Sequence, residues 1–141
     1  MREFIQPFLL CVFLTVVSIA VPATELELSK QHDLDGMEFR GVTGEQGKGQ
    51  DHEDTISFKD GVFRSLDCED WGFGTAPYNV ERVGDSYHFS AILLSSNRGR
   101  LEWRGTITGD TAEATFRWRH ERWYWDIDRQ YWFMGTRYTR Q

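Results

Sequence analysis

Cys68 is the side chain best equipped for covalent chemistry, and its neighbours argue against that use. A thiol becomes nucleophilic when nearby positive charge lowers its pKa. Here Asp67, Glu69 and Asp70 surround it with negative charge. Cys68 is therefore expected to be a small, partly buried apolar residue, the alternative being an exposed thiol. The run Asp51-His52-Glu53-Asp54 offers carboxylates and an imidazole to a divalent cation. Its spacing fits no compact ligand motif, so a solvated charged loop is expected. His120-Glu121 with Asp126 and Asp128 reads the same way. Those acids are expected to pair with Arg119, Arg122 and Arg129 at the surface, at roughly 0–1 kcal/mol per pair. The pair Glu69 and Asp70 could act as acid and base, but every acidic chain offers such pairs. No Ser/His/Asp pattern, phosphate-cradling loop or zinc-helix motif is present. The expectation is no cofactor, no metal site and no enzyme. An enzyme using Cys68 or a carboxylate is the least favoured reading.

Aromatic residues suggest binding instead. The chain has 6 Trp, 5 Tyr and 10 Phe, and nine of these aromatics crowd between Phe116 and Tyr138. One reading is a packed core with an end plugged by tryptophan, since burying an aromatic stabilises a small domain by about 1.5–3 kcal/mol. The other is an aromatic-lined pocket for a small apolar or planar ligand. Phe89, Trp103, Phe116 and Trp118 would line the interior, with Trp123 and Trp125 at the rim. Ala91, Gly105, Ala112 and Ala114 also point inward and would leave room. Trp71 and Phe73 flank Gly72 in a connecting segment. As an exposed pair they would anchor a protein partner, making the chain a binding or inhibitor module.

These residues need a scaffold, and residues 101–118 show which one. Gly109-Asp110 suits a two-residue turn, because glycine accepts positive φ. Counting outward pairs Ile107 with Ala112, Gly105 with Ala114, Trp103 with Phe116 and Leu101 with Trp118, all on one face. The opposite face carries Thr108/Thr111, Thr106/Glu113, Arg104/Thr115 and Glu102/Arg117. Asp60-Gly61 predicts a second hairpin, with Phe58 opposite Phe63 and Ile56 opposite Ser65. A turn at Gly84-Asp85 opposes Val80 to Phe89 and Tyr78 to Ala91, and puts His88 outside. Asn97-Arg98-Gly99 fits a three-residue loop that keeps Leu93 and Trp103 on the same side. Strands are also expected over 37–43 and 130–137, with flexible or looped connections over 44–53 and 66–75. The fold class is all-β: a single antiparallel up-and-down barrel of about eight strands. A two-sheet sandwich is the alternative.

Upstream, residues 1–23 have the layout of a secretory signal peptide, with cleavage after Ala20 or Ala23. The apolar run from Phe8 to Ala20 is about 13 residues, short of the roughly 20 a spanning helix needs. No stable membrane insertion is expected after cleavage, and the location is expected to be periplasmic or secreted. Residues 24–35 read as a loose lead-in and 36–141 as the barrel domain. Cys68 would be the one cysteine left, so no internal disulfide is expected. A net charge of −6 argues against nucleic acid as a partner. The runs Asp54-Thr-Ile-Ser-Phe-Lys-Asp-Gly61 and Trp103-Arg-Gly-Thr-Ile-Thr-Gly-Asp110, behind such a leader, resemble small secreted bacterial proteins with lipocalin-like, calycin-type barrels. That resemblance implies the same barrel. True lipocalins carry Gly-x-Trp near the first strand; Phe39-Arg40-Gly41 has no following tryptophan, so no ligand or binding residue is carried over.

Overall fold

The computed structural model describes residues 32–141. The leader, both cleavage positions and most of the lead-in lie outside the described residues. The chain forms β1 (Glu38–Glu45), β2 (His52–Lys59), β3 (Val62–Ser65), a short helix α1 (Leu66–Asp70), β4 (Ala76–Val83), β5 (Ser86–Ser95), β6 (Gly99–Thr108), β7 (Thr111–His120) and β8 (Ile127–Arg137). Each strand pairs antiparallel with the next, and β8 returns to β1. The result is a closed eight-stranded up-and-down barrel rather than a two-sheet sandwich.

Period-two patterning explains the registers. Trp103 sits opposite Phe116 and Leu101 opposite Trp118. Phe58 opposes Phe63, and Tyr78 opposes Ala91. Asp60 and Gly61 take φ of 53° and 74°, as a two-residue turn with positive φ at both positions requires.

Four segments differ from the sequence reading. The β1–β2 ladder continues through Val42–Glu53 and Thr43–His52, so the loop expected over 44–53 shrinks to 46–51. Ladder hydrogen bonds there outweigh the local glycine content. The segment 66–75 opens with α1, nucleated when the Ser65 hydroxyl accepts the amide of Cys68 at 3.1 Å. The β5–β6 turn occupies 96–98, because Gly99 already pairs with Ser95. Finally, residues 32–36 form an ordered turn where the lead-in was expected to be loose. Leu34 is fully buried there. Asp35 accepts from the Gly61 amide at 3.0 Å and the Tyr78 hydroxyl at 2.7 Å, tying the turn to the β2–β3 end of the barrel.

The middle of the barrel is filled with rings. Phe58 contacts Phe63, Tyr78 and Phe89 at centroid distances of 5.4, 5.0 and 4.9 Å. Phe63 reaches Trp103 at 5.1 Å. Gly105 does not leave a void, contrary to expectation. A Cβ there would collide with the Phe89 ring and with the Ala114 Cβ, so the missing side chain makes room for Phe89. At the closing seam a Cβ on Gly41 would overlap the main-chain carbonyl oxygen of Met134. Backbone cannot yield as a flexible side chain can. Gly41→Ala is therefore expected to lower stability by more than about 2 kcal/mol in urea denaturation. Gly49→Ala, where an added Cβ meets nothing within 4 Å, should change it by no more than about 0.5 kcal/mol.

Candidate functional site

Antiparallel succession sends the 46–51, 66–75, 96–98 and 121–126 connections to the same end of the barrel. A cavity of about 280 Å³ opens at that end. Its apolar wall comprises Cys68, Phe73, Leu101, Phe116, Trp118 and Tyr131. The rings of Trp103, Phe116 and Tyr131 stack nearly parallel across β6, β7 and β8, with centroid steps of 4.2 and 5.0 Å. The stack runs from the filled core to the cavity. Trp118 Nε1 donates to the Arg98 carbonyl at 2.7 Å, which fixes the indole and the β5–β6 turn together.

The rim is charged. Asp51, His52, Asp67 and Trp71 come from the β1–β2 and α1 side, and Arg98 and Arg129 from the β5–β6 turn and β8. The Arg98 guanidinium lies 5.6 Å from the Trp71 ring centroid, within cation–π range. His52 meets the same ring edge-on at 6.2 Å. Among the described residues, neither Arg98 nor Arg129 makes an ion pair within 4 Å.

Helix α1 is held against this end by a buried carboxylate. Asp54 accepts from the Ser65 hydroxyl at 2.7 Å and from the Asp67 amide at 3.0 Å. It is 5% exposed, so the charged run 51–54 is not the solvated loop that its spacing predicts. Asp54 shares its strand face with the buried Ile56 and Phe58, and that parity was the available signal. Cys68 is a buried free thiol on α1. Burial pushes its pKa up, and the Asp54 and Asp67 charges push it further, so it is poorly suited to nucleophilic attack. The buried Trp103 indole N–H has no hydrogen-bond partner among the described residues.

Of the residues singled out from sequence, Phe116 and Trp118 line the cavity, while Phe89 and Trp103 belong to the filled core beneath it. Trp123 and Trp125, expected at the rim, lie in the 121–126 loop at the same end but do not line the cavity, and are 95% and 61% exposed. Trp71 is half-exposed at the cavity mouth, but Phe73 is buried. The two therefore do not form an exposed pair. The side chain of Phe73 fills the wall beneath α1 instead. His88 is exposed, as its parity required. Asp128 pairs with Arg117 rather than with Arg119, Arg122 or Arg129. Sequence reasoning did not single out Arg98, Arg129 or Tyr131 as cavity residues. The facing of β8 could not be read, because Tyr131, Trp132 and Phe133 are all aromatic. A wider depression of about 870 Å³ lies over β4–β8, lined on its outward side by polar residues including Glu81, His88, Arg104 and Glu113. It is shallow and charged, so the end cavity is the better enclosed site. Among the described residues no group of three or more His, Cys, Asp or Glu side chains is placed to hold a metal ion.

Burial raises the Asp54 carboxyl above its ordinary value of 3.8, against the pull of the Asp67 and Ser65 hydrogen bonds. The folded state thus keeps a proton that the unfolded chain has already lost, and this group's contribution to stability falls as pH rises above 3.8 through the folded value. Asp54→Asn removes that titration. In urea denaturation, stability relative to wild type should shift in the variant's favour between about pH 4 and about pH 7. Iodoacetamide near pH 7.5 should label Cys68 in urea and leave it unlabelled in the folded protein, read by mass on the Cys68 peptide so that Cys11 does not contribute.

Comparisons with protein-family models, curated proteins and solved structures found no match. The closed eight-stranded antiparallel barrel is consistent with a calycin-type fold, and that likeness of shape assigns no family.

Proposed function

We propose that this protein is an exported, non-enzymatic barrel that binds a small apolar or aromatic ligand in the cavity at its open end. The observation that carries this reading is the Phe116–Tyr131 stack with Trp118 and Leu101, which walls a cavity of about 280 Å³ above an otherwise filled interior. Cavity size limits the ligand. Pockets for drug-sized molecules span about 300–1,000 Å³, so this one suits a ligand of about one or two rings or a short chain. Aromatic faces favour a planar, apolar body, and the charged rim would meet any polar substituent left at the mouth. Export rests on the leader-like residues 1–23 alone. The raised thiol pKa of Cys68 weakens the main enzymatic alternative. The protein-binding alternative loses one of its two anchors, since Phe73 is buried.

Titration with small hydrophobic fluorophores, followed by tryptophan quenching, tests the proposal. Saturable binding is expected. Trp118→Ala and Tyr131→Ala should each weaken it by about tenfold, equivalent to about 1.4 kcal/mol of lost contact. A flat titration across the panel, or unchanged affinity in both variants, would overturn the reading.

A further inference from the structure

The 121–126 loop is the most exposed aromatic feature among the described residues. Trp123, Tyr124 and Trp125 are 95%, 51% and 61% exposed, at the same end of the barrel as the cavity mouth. Their rings stand nearly at right angles, at 82° and 83°, with centroids 5.1 and 4.8 Å apart. Successive rings share no plane, which makes the trio a poor platform for laying down a sugar chain. It forms a compact ridge instead. The loop is braced from beneath. Arg122 donates to the Tyr124 hydroxyl at 3.1 Å and to His120 Nδ1 at 3.3 Å, and its amide donates to Asp126 at 3.2 Å. The chemistry is thus layered, with amphipathic rings at the apex and charged, hydrogen-bonding groups at the base.

Trp and Tyr with that layering favour the boundary between lipid headgroups and acyl chains. Charge selects among bilayers. Along the loop and its flanks Arg117, Arg119, Arg122 and Arg129 stand against Glu121, Asp126 and Asp128, with Asp128 paired to Arg117. This edge is therefore nearly balanced, with one arginine in excess, on a chain whose net charge is −6. An anionic surface would repel the molecule as a whole, whereas a zwitterionic one would not. From the exposed ridge, its nearly balanced base and the apolar cavity opening at the same end of the barrel, we propose that the open end docks peripherally on zwitterionic phospholipid bilayers through Trp123, Tyr124 and Trp125. This goes beyond the cavity reading and stands without it.

The test is sedimentation of the full chain with phosphatidylcholine vesicles, alongside the W123A/W125A double variant, the single variant Trp123→Lys, and Val83→Ala. Val83 is 47% exposed at the opposite end of the barrel, so it reports general stickiness. All four proteins share the apolar N-terminal run, so differences among them isolate the loop. The double variant and Trp123→Lys should partition at least about tenfold less than wild type, and Val83→Ala should match wild type. Brominated acyl chains should quench wild-type tryptophan fluorescence, and phosphatidylglycerol vesicles should bind more weakly than phosphatidylcholine. Equal partitioning of wild type, double variant and Trp123→Lys would overturn the proposal. So would absence of wild-type binding to phosphatidylcholine, or a preference for the anionic vesicles. The double variant leaves Trp118 and Tyr131 in place, so loss of docking with retained fluorophore binding separates this inference from the cavity reading.

Discussion

Gly41 and Gly135 face each other where β1 meets β8, and the sheet closes on itself because neither carries a side chain. A Cβ at Gly41 would occupy the position of the Met134 carbonyl oxygen, and one at Gly135 would press on the Phe133 ring and the Arg40 carbonyl. Closure removes the two sheet edges that an open meander would expose. It also sets the circumference, and with it the interior that the inward side chains must fill. Most of that interior is taken by rings packed edge to face and stacked. What remains at one end is the cavity.

The two ends of the barrel are finished differently. At the β2–β3 end, Leu34 is fully buried and Asp35 gathers hydrogen bonds from Gly61, Tyr78 and His32. At the other end, β3 stops after four residues and pairs with β4 at only two positions, Val62–Pro77 and Phe63–Ala76. Pro77 has no N–H to extend that ladder. Helix α1 continues the chain from β3 here, tethered by Asp54 and capped by Ser65. A short seam and a five-residue helix make this the part of the wall with the fewest ladder bonds, beside the cavity mouth. Local opening is least costly where backbone pairing is sparse, so the proposed ligand would enter there.

Electrostatics follow the same division. Outer-wall pairs such as Arg64–Glu69 and Arg117–Asp128 are solvent-exposed and contribute little individually. Asp54 is different, because its charge is buried and answered by hydrogen bonds rather than by a cation. Removing those donors would leave a desolvated carboxylate unsatisfied, which costs more than the bonds contribute. Its value lies in fixing where α1 sits, and so where Cys68, Trp71 and Phe73 sit around the cavity.

Strand pairing was legible in the sequence because its determinants are local. A turn such as Asp60-Gly61 plus period-two alternation allows one register, and a slip of one residue would send Phe58, Phe63, Trp103 and Phe116 into water. Lateral extent was less legible. Thr43 pairs with His52 through backbone bonds that composition does not encode. The fate of inner-wall space was not legible at all, since Gly105 suggests a void until Phe89 arrives from the neighbouring strand. Nor could Arg98 on one turn and Arg129 on β8 be known to share a rim before the barrel closed. Sequence alone determined which face the strands turn inward wherever apolar and polar residues alternate, which excludes the aromatic run of β8, because alternation is a property of the extended chain. Only the tertiary structure decided which rings meet and what volume is left between them, because packing depends on side chains brought together from strands distant in sequence.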